Sequence, residues 1–370
     1  MSDPRSVARR MLMAAITAVE PERLVADRLS RSPALVDSGS VVVLALGKAA
    51  AGMARGAVRV LQGRTRGIAV APERSAVSGI EVVTGDHPIP GPNSFAAGER
   101  LLGMARTAGP DDVVLVLVSG GASAMAEVAA PGIPERDIAQ HTTDLLASGR
   151  PIHEVNAERT AMSLLKGGGL AAAARPARVV TLAISDVIDS DPATIGSGPS
   201  VGSDVFEVIV DGAAAAAAAA EVAAEEGLTA QLRGEPITGP ARQFGRRIGR
   251  LASALPAGSA IVGFGETTVR IVGGRRGGRN QETALAAALE LDGSDAVVGS
   301  LGTDGIDGPT KNAGAIVDGS TVHRGGVLGL DAEDHLTRHD SATYLEAVED
   351  VVVTGRTGTN VGDVIVALRA

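Results

Sequence analysis

The chain has 370 residues, too many for one average domain and comfortable for two, with hydrophobic residues at 45% and charged residues at 21%, as in ordinary soluble globular proteins. With no Trp, one Tyr and four Phe, the core must be packed from Ala, Val, Leu and Ile. A net charge of −9 argues against a general nucleic-acid binder, and zero cysteines exclude a disulfide framework, a thiol nucleophile and a thiolate metal site.

The N-terminal segment reads as one amphipathic helix, Asp3–Arg28; Glu20, Glu22 and Arg23 interrupt it too early for a signal peptide. The longest apolar run, around Ala213–Ala220, falls far short of the roughly 18 residues of a membrane span. A cytoplasmic protein with no membrane partner is expected. Strands are predicted at Val41–Leu46, Gly67–Ala71, Ile80–Thr84, Val113–Val118 and Val179–Ile184, then at Ala260–Val262, Thr268–Val272, Ala296–Leu301, Ala313–Val317, Val351–Thr354 and Asp363–Ala367. Between them the composition predicts helices at Ala49–Leu61, Ser94–Thr107, Glu135–Ala147, Ala157–Leu165, Gly212–Glu226, Gln243–Ala254 and Gln281–Leu291. Strands alternating with helices define an α/β protein, and the continuous apolar strands of the first half call for a mostly parallel sheet covered on both faces. A Gly/Pro-rich stretch, Arg233–Pro240, marks a domain boundary, giving domains 1–235 and 236–370. Thr268–Val272 followed by GGRRGG suggests an antiparallel hairpin.

Polar residues collect where apolar strands end. Val41–Leu46 runs into Gly47-Lys48, Val113–Val118 into Ser119-Gly120-Gly121-Ala122-Ser123, Val179–Ile184 into Ser185-Asp186, and Ala296–Leu301 into Gly302-Thr303-Asp304-Gly305. In an open parallel sheet ligands bind outside the carboxyl ends of the strands, where glycines let backbone N–H groups reach a phosphate. Strand–helix turns need Gly, Ser and Asp as caps in any case, so the set as a whole, and Lys48 within it, carries the reading. The P-loop spacing G-x-x-x-x-G-K-[ST] is absent, and Gly47-Lys-Ala-Ala-Ala-Gly52 lacks the second glycine of a dinucleotide fingerprint. Asp186, Asp189 and Asp191 are either metal or substrate contacts or turn-forming residues before Pro192. GGRRGGRNQE brings three arginines to a helix start, where guanidinium forks suit phosphate or carboxylate; Asp304 and Asp307 form a metal site or a pair of Asx turns.

GDHPIPGPNS, VSGGASAM, Lys166-Gly167-Gly168, SDV…DP…GSGP, GETTV, GGRNQE, GTDGIDGPT…AGAIVDG and TGRTGTNVGD occur in this order over nearly the whole chain. Together they resemble the glycerate 2-kinase family, whose members pair a Rossmann-like doubly wound N-terminal domain with a smaller C-terminal α/β domain of mixed sheet, the MOFRL domain. The resemblance implies an active site in the interdomain cleft and transfer of the ATP γ-phosphoryl group to the 2-hydroxyl of D-glycerate, with Mg²⁺. By motif match the family's catalytic lysine, arginine and aspartate fall on Lys48, Arg279 and Asp304. Gly47, Ser119, Gly120, Gly121, Ser123 and Lys166 are expected at the nucleotide, Arg159, Glu266 and Asn280 at the acceptor, and Asp186 and Asp191 at the metal. Ala122, Thr160, Gly169 and Lys311 depart from the family pattern on the substrate side, so a closely related small hydroxy acid stands beside glycerate as acceptor. Two other readings are a hydroxypyruvate reductase-type oxidoreductase, opposed by the missing fingerprint, and a non-catalytic metabolite-binding relative. The small-molecule partners are the hydroxy acid and ATP; a homodimer is compatible with the reading.

Overall fold

Six Val- and Leu-rich segments form the first sheet: β1 (Val41–Leu46), β2 (Thr65–Ala71), β3 (Ile80–Thr84), β4 (Val113–Val118), β5 (Arg178–Ile184) and β6 (Val205–Val210). The structure is a computed structural model that describes residues 3–37, 39–148, 152–187, 191–269 and 276–370. All neighbours in this sheet are parallel, in the order β3-β2-β1-β4-β5-β6. Every residue of β1 and β4 is buried, because helices cover both faces. The order reverses between β1 and β4, which makes their carboxyl ends the switch point of the sheet.

The second sheet contains β7 (Thr229–Leu232), β8 (Ser259–Gly265), β9 (Ala296–Gly302), β10 (Gly314–Asp318), β11 (Val351–Val352) and β12 (Asp363–Arg369), in the order β11-β10-β9-β12-β8-β7. Only β7–β8 is parallel; the other pairs are antiparallel, so the sheet is mixed as expected. Helices Ala241–Ser253 and Arg279–Leu291 pack on one face, burying Phe244, Ile248, Leu285 and Ala288 against Val298, Ile365 and Ala367. Helices Pro4–Ala18 and Gly212–Glu225 take the other, where a Cβ on Gly299 would lie 2.8 Å from Leu12 Cδ1, so glycine permits that close approach.

Some expectations change, and the helix expected at Ala157–Leu165 instead spans Ile152–Ala161. The long N-terminal helix is two helices, Pro4–Ala18 and Pro21–Arg31: Pro21 has no N–H for the ladder, and Glu20, held extended, caps the second helix by accepting from the amides of Glu22 and Arg23. β6 and β7 were not legible, since both are edge strands, only partly buried and without a continuous apolar run. The compact units do not follow one cut at 235. One comprises Glu20–Asp211 with Gly358–Asn360; the other comprises Met1–Val19, Gly212–Thr357 and Val361–Ala370. The reason lies in packing, because the helices Pro4–Ala18 and Gly212–Glu225 bury their apolar faces on the mixed sheet. Of the expected hairpin, Thr268 bridges Pro240 in parallel, while 270–275 lie outside the described residues. Among the described residues no helix is long and apolar enough to cross a membrane.

Candidate active site

In the parallel-sheet unit, the turns after β1 and β4 are tied together. The Lys48 amide donates to Gly120 O (2.9 Å), the Ala49 amide to Ser119 Oγ (2.9 Å), and the Ser119 amide to Leu46 O (3.1 Å). Gly47 has φ +116°, and a Cβ there would stand 2.4 Å from both Ser119 O and Oγ; only glycine allows the two turns to touch. Gly121, at φ +83°, opens the short helix Ala122–Met125, and a Cβ on it would lie 3.3 Å from Lys48 Cγ. The amides of Gly120 and Gly121 donate to no described residue. Two such N–H groups with the Lys48 side chain against the same turn are suited to an anion.

Asp186, just beyond β5, lies against the same turn: a Cβ on Gly120 would fall 1.9 Å from its Oδ2, and Asn360 Nδ2 donates to that oxygen at 2.6 Å. Asp191 has a local role. Its Oδ1 accepts from the Ala193 amide and its carbonyl from Thr194 and Ile195, so it shapes the 191–195 turn. Asp189 lies outside the described residues. Among the described residues no three His, Cys, Asp or Glu side chains converge on a metal position. A nucleotide-bound Mg²⁺ needs only one or two protein carboxylates, and Asp186 against Gly120 fits that requirement.

Behind the glycine turn, Ser123 Oγ bonds Ser197 Oγ (2.7 Å), which donates to Asn156 Oδ1 (2.9 Å). Lys166, expected at the nucleotide, is instead buried against Glu127. Glu127 also accepts from Ser163 Oγ (2.5 Å) and the Val128 amide (3.0 Å) through Oε1. Burial pushes the Lys166 ammonium down to about 8, with Glu127 opposing the shift.

In the mixed-sheet unit, a second polar cluster forms where β8 and β9 end and β12 begins; Gly265 and Gly302 both pair with Asp363. Arg279 donates to Asp363 through Nε (2.7 Å) and Nη2 (2.9 Å), and its Nη1 meets Glu266 Oε1 at 2.7 Å. Burial works against its charge, but Asp363 and Glu266 outweigh burial and hold the guanidinium firmly protonated. Glu266 is 45% exposed and Asp363 only 1%, so the first is the exchangeable partner and the second the fixed one. Asn280, expected at the acceptor, is buried and spends its side chain on Asp363 (2.9 Å) and Ser300 (2.6 Å). Asp304 closes an Asx turn onto the Ile306 amide (3.1 Å), and its Oδ1 is 3.3 Å from where a Cβ on Gly302 would stand. Asp307 is wholly buried and caps the helix Arg279–Leu291 from a distance in sequence, accepting from the Asn280 (3.0 Å) and Gln281 (2.8 Å) amides. Burial raises its carboxyl to about 7 despite these two donors.

Asp363, Asn360 and Glu127 were not singled out from the sequence. A search at the carboxyl ends of strands overlooks Asp363, because antiparallel β12 brings its amino end to that edge. Gly362-Asp363 before an apolar run was the available signal.

The family described as "Domain of unknown function (DUF4147)" matches residues 7–231, and the MOFRL family matches 259–363. The D-glycerate 2-kinase of Thermotoga maritima is 32% identical, with all of both chains covered. An Agrobacterium vitis protein provisionally named hydroxypyruvate reductase is 37% identical over 88% of this chain and 98% of its own. The crystal structure of a Thermotoga maritima glycerate kinase superposes with a TM-score of 0.88 at 31% identity, covering 99% of each chain. Fold and relatives define a two-unit α/β phosphotransferase with a hydroxyl group as acceptor. The chain belongs to the glycerate 2-kinase family.

Proposed function

We propose that the protein transfers the γ-phosphoryl group of ATP to the 2-hydroxyl of D-glycerate, giving 2-phosphoglycerate and ADP. The observation that carries this reading is the glycine turn at the switch point: two amides, Gly120 and Gly121, without a partner among the described residues, with the Lys48 side chain against them. Phosphoryl transfer is mainly positioning and charge neutralisation, which such a constellation supplies. The Gly120 and Gly121 N–H groups and Lys48 receive the phosphates, with Gly47, Ser119 and Ser123 shaping the cradle. Asp186 would hold Mg²⁺, which would supply positive charge to offset that of the phosphates. Arg279, oriented by Asp363, exchanges the exposed Glu266 for the transferring group. Asp304 takes the proton of the attacking hydroxyl. The relatives named glycerate kinase support the substrate, and the missing dinucleotide fingerprint disfavours hydride transfer.

The test is product analysis with Mg-ATP and D-glycerate, alongside NADH oxidation with hydroxypyruvate. ADP and 2-phosphoglycerate are expected, and NADH consumption without ADP would overturn the proposal. Lys48→Ala and Asp304→Asn should each lower kcat by roughly 10²–10³-fold while remaining folded.

A further inference from the structure

The segment GDHPIPGPNS, residues 85–94, follows β3 at the same sheet edge as the turns after β1 and β4, because all these strands are parallel. Its backbone is held from several sides. Pro88, Pro90 and Pro92 fix φ at three of its positions. The Asp86 carboxylate accepts from the Asn93 amide (2.9 Å) and from Asn93 Nδ2 (2.9 Å), and the buried Ser94 Oγ accepts from the Asp86 amide (2.9 Å). Gly85 lets the segment lie against the residues that follow the glycine turn, since a Cβ there would stand 2.1 Å from Met125 O. The Glu127 amide adds a second tie, donating to Ser94 O at 3.1 Å.

What this restrained backbone presents is an exposed side chain, His87. Its ring reaches the glycine turn: a Cβ on Gly121 would lie 3.2 Å from His87 Cδ2 and 3.3 Å from Lys48 Cγ. Gly121, at φ +83°, keeps that space open. Two nitrogen-bearing side chains from different strand ends therefore border one glycine of the turn. Core packing does not account for the arrangement, because an exposed histidine removes little apolar area from water.

Resting on the kinase reading above, we propose that His87 is a phosphate ligand, its imidazole N–H donating to an oxygen of the nucleotide phosphate that the Gly121 amide and Lys48 receive. Imidazole keeps an N–H in either charge state, so the bond does not require protonation. A short planar ring on a loop fixed at both ends loses less side-chain freedom on binding than a second lysine would. Lys48 supplies charge and His87 supplies direction, and phosphoryl transfer depends on such placement. The carboxylate of the acceptor is the other anion that offers the same chemistry, and kinetics separate the two.

The experiment compares wild type, His87→Ala and His87→Gln by calorimetric titration with the non-hydrolysable analogue AMP-PNP and Mg²⁺, and by KM for Mg-ATP and for D-glycerate. His87→Ala is expected to weaken analogue binding and raise the KM for Mg-ATP by about tenfold, the loss of one charge-assisted hydrogen bond, with the glycerate KM within about twofold of wild type. His87→Gln keeps an N–H donor and should recover part of the affinity. Unchanged analogue affinity in His87→Ala overturns the proposal, and so does a rise confined to the glycerate KM. Thermal melts of the three proteins should coincide, since the side chain is exposed; a lowered midpoint with unchanged nucleotide affinity shows that His87 holds the fold instead, which also overturns the proposal. The kinase reading stands or falls apart from this one. A wild type that binds the analogue through His87 without turning over glycerate removes the function and leaves the phosphate ligand; full turnover with His87→Ala unaffected does the reverse.

Discussion

Glu127 and Lys166 are 2% and 1% exposed at their side chains, so each charge depends on the other for neutralisation. Removing one partner of such a pair leaves the second charge buried alone. Lys166→Met should therefore destabilise the protein by about 3–5 kcal/mol in urea unfolding, and the Lys166→Met/Glu127→Gln double variant should recover much of the loss. A double variant no more stable than the single one would show that the pair does not act as a unit. Asp307 offers a second residue-level test. Its carboxyl titrates near 3.8 unfolded and about 7 folded, so between these values the folded state binds the proton more tightly. Its contribution is complete below the lower value and is lost as pH rises through the upper one. Asp307→Asn cannot ionise, and its stability deficit against wild type should shrink between pH 5 and 8 by an amount on the order of 3 kcal/mol. A deficit independent of pH would place the Asp307 titration elsewhere.

At the scale of elements, the glycine turn 119–121 is where local sequence and site chemistry meet. Gly120 must lack a side chain because Asp186 Oδ2 and Asn360 Nδ2 occupy the positions 1.9 and 2.4 Å from where its Cβ would stand. Gly120→Ala is expected to raise the KM for Mg-ATP and depress kcat, since Asp186 must move. Gly103, in the helix Pro92–Ala105, has nothing within 4 Å of its would-be Cβ, and Gly103→Ala should leave kinetics unchanged and add roughly 0.5–1 kcal/mol of stability. Equal kinetic effects of the two substitutions would remove the special status of the turn. The turn itself was legible, as a Ser-Gly-Gly run behind a continuous apolar strand. The edge strands β6 and β7 were not, because a strand with one solvated side carries no continuous apolar run.

For the whole molecule, the informative feature is that neither compact unit is one continuous segment. The family matches run 7–231 and 259–363, yet the helices Pro4–Ala18 and Gly212–Glu225 cover the mixed sheet formed mostly by later residues. A fragment of 236–370 would expose that apolar face, including Val364 and Val366, which are fully buried in the intact chain. It is expected to show no cooperative thermal transition by circular dichroism, whereas residues 212–370 supplied with the peptide 1–19 should regain one. A sharp transition in the 236–370 fragment would contradict this account.

By itself the sequence determined the α/β class, the central strands and the glycine-flanked strand ends with Lys48, Ser119 and Asp186, because these follow from local apolar runs and from the residue types that tight turns demand. It could not determine which charge meets which. Arg279 finds Asp363 across 84 positions, Asn360 finds Asp186 across 174, and Lys166 finds Glu127 across 39. Such pairings are decided by strand order and by which turns the folded sheets bring together. Only the tertiary structure therefore shows Arg279 held by two carboxylates, one buried and one exposed.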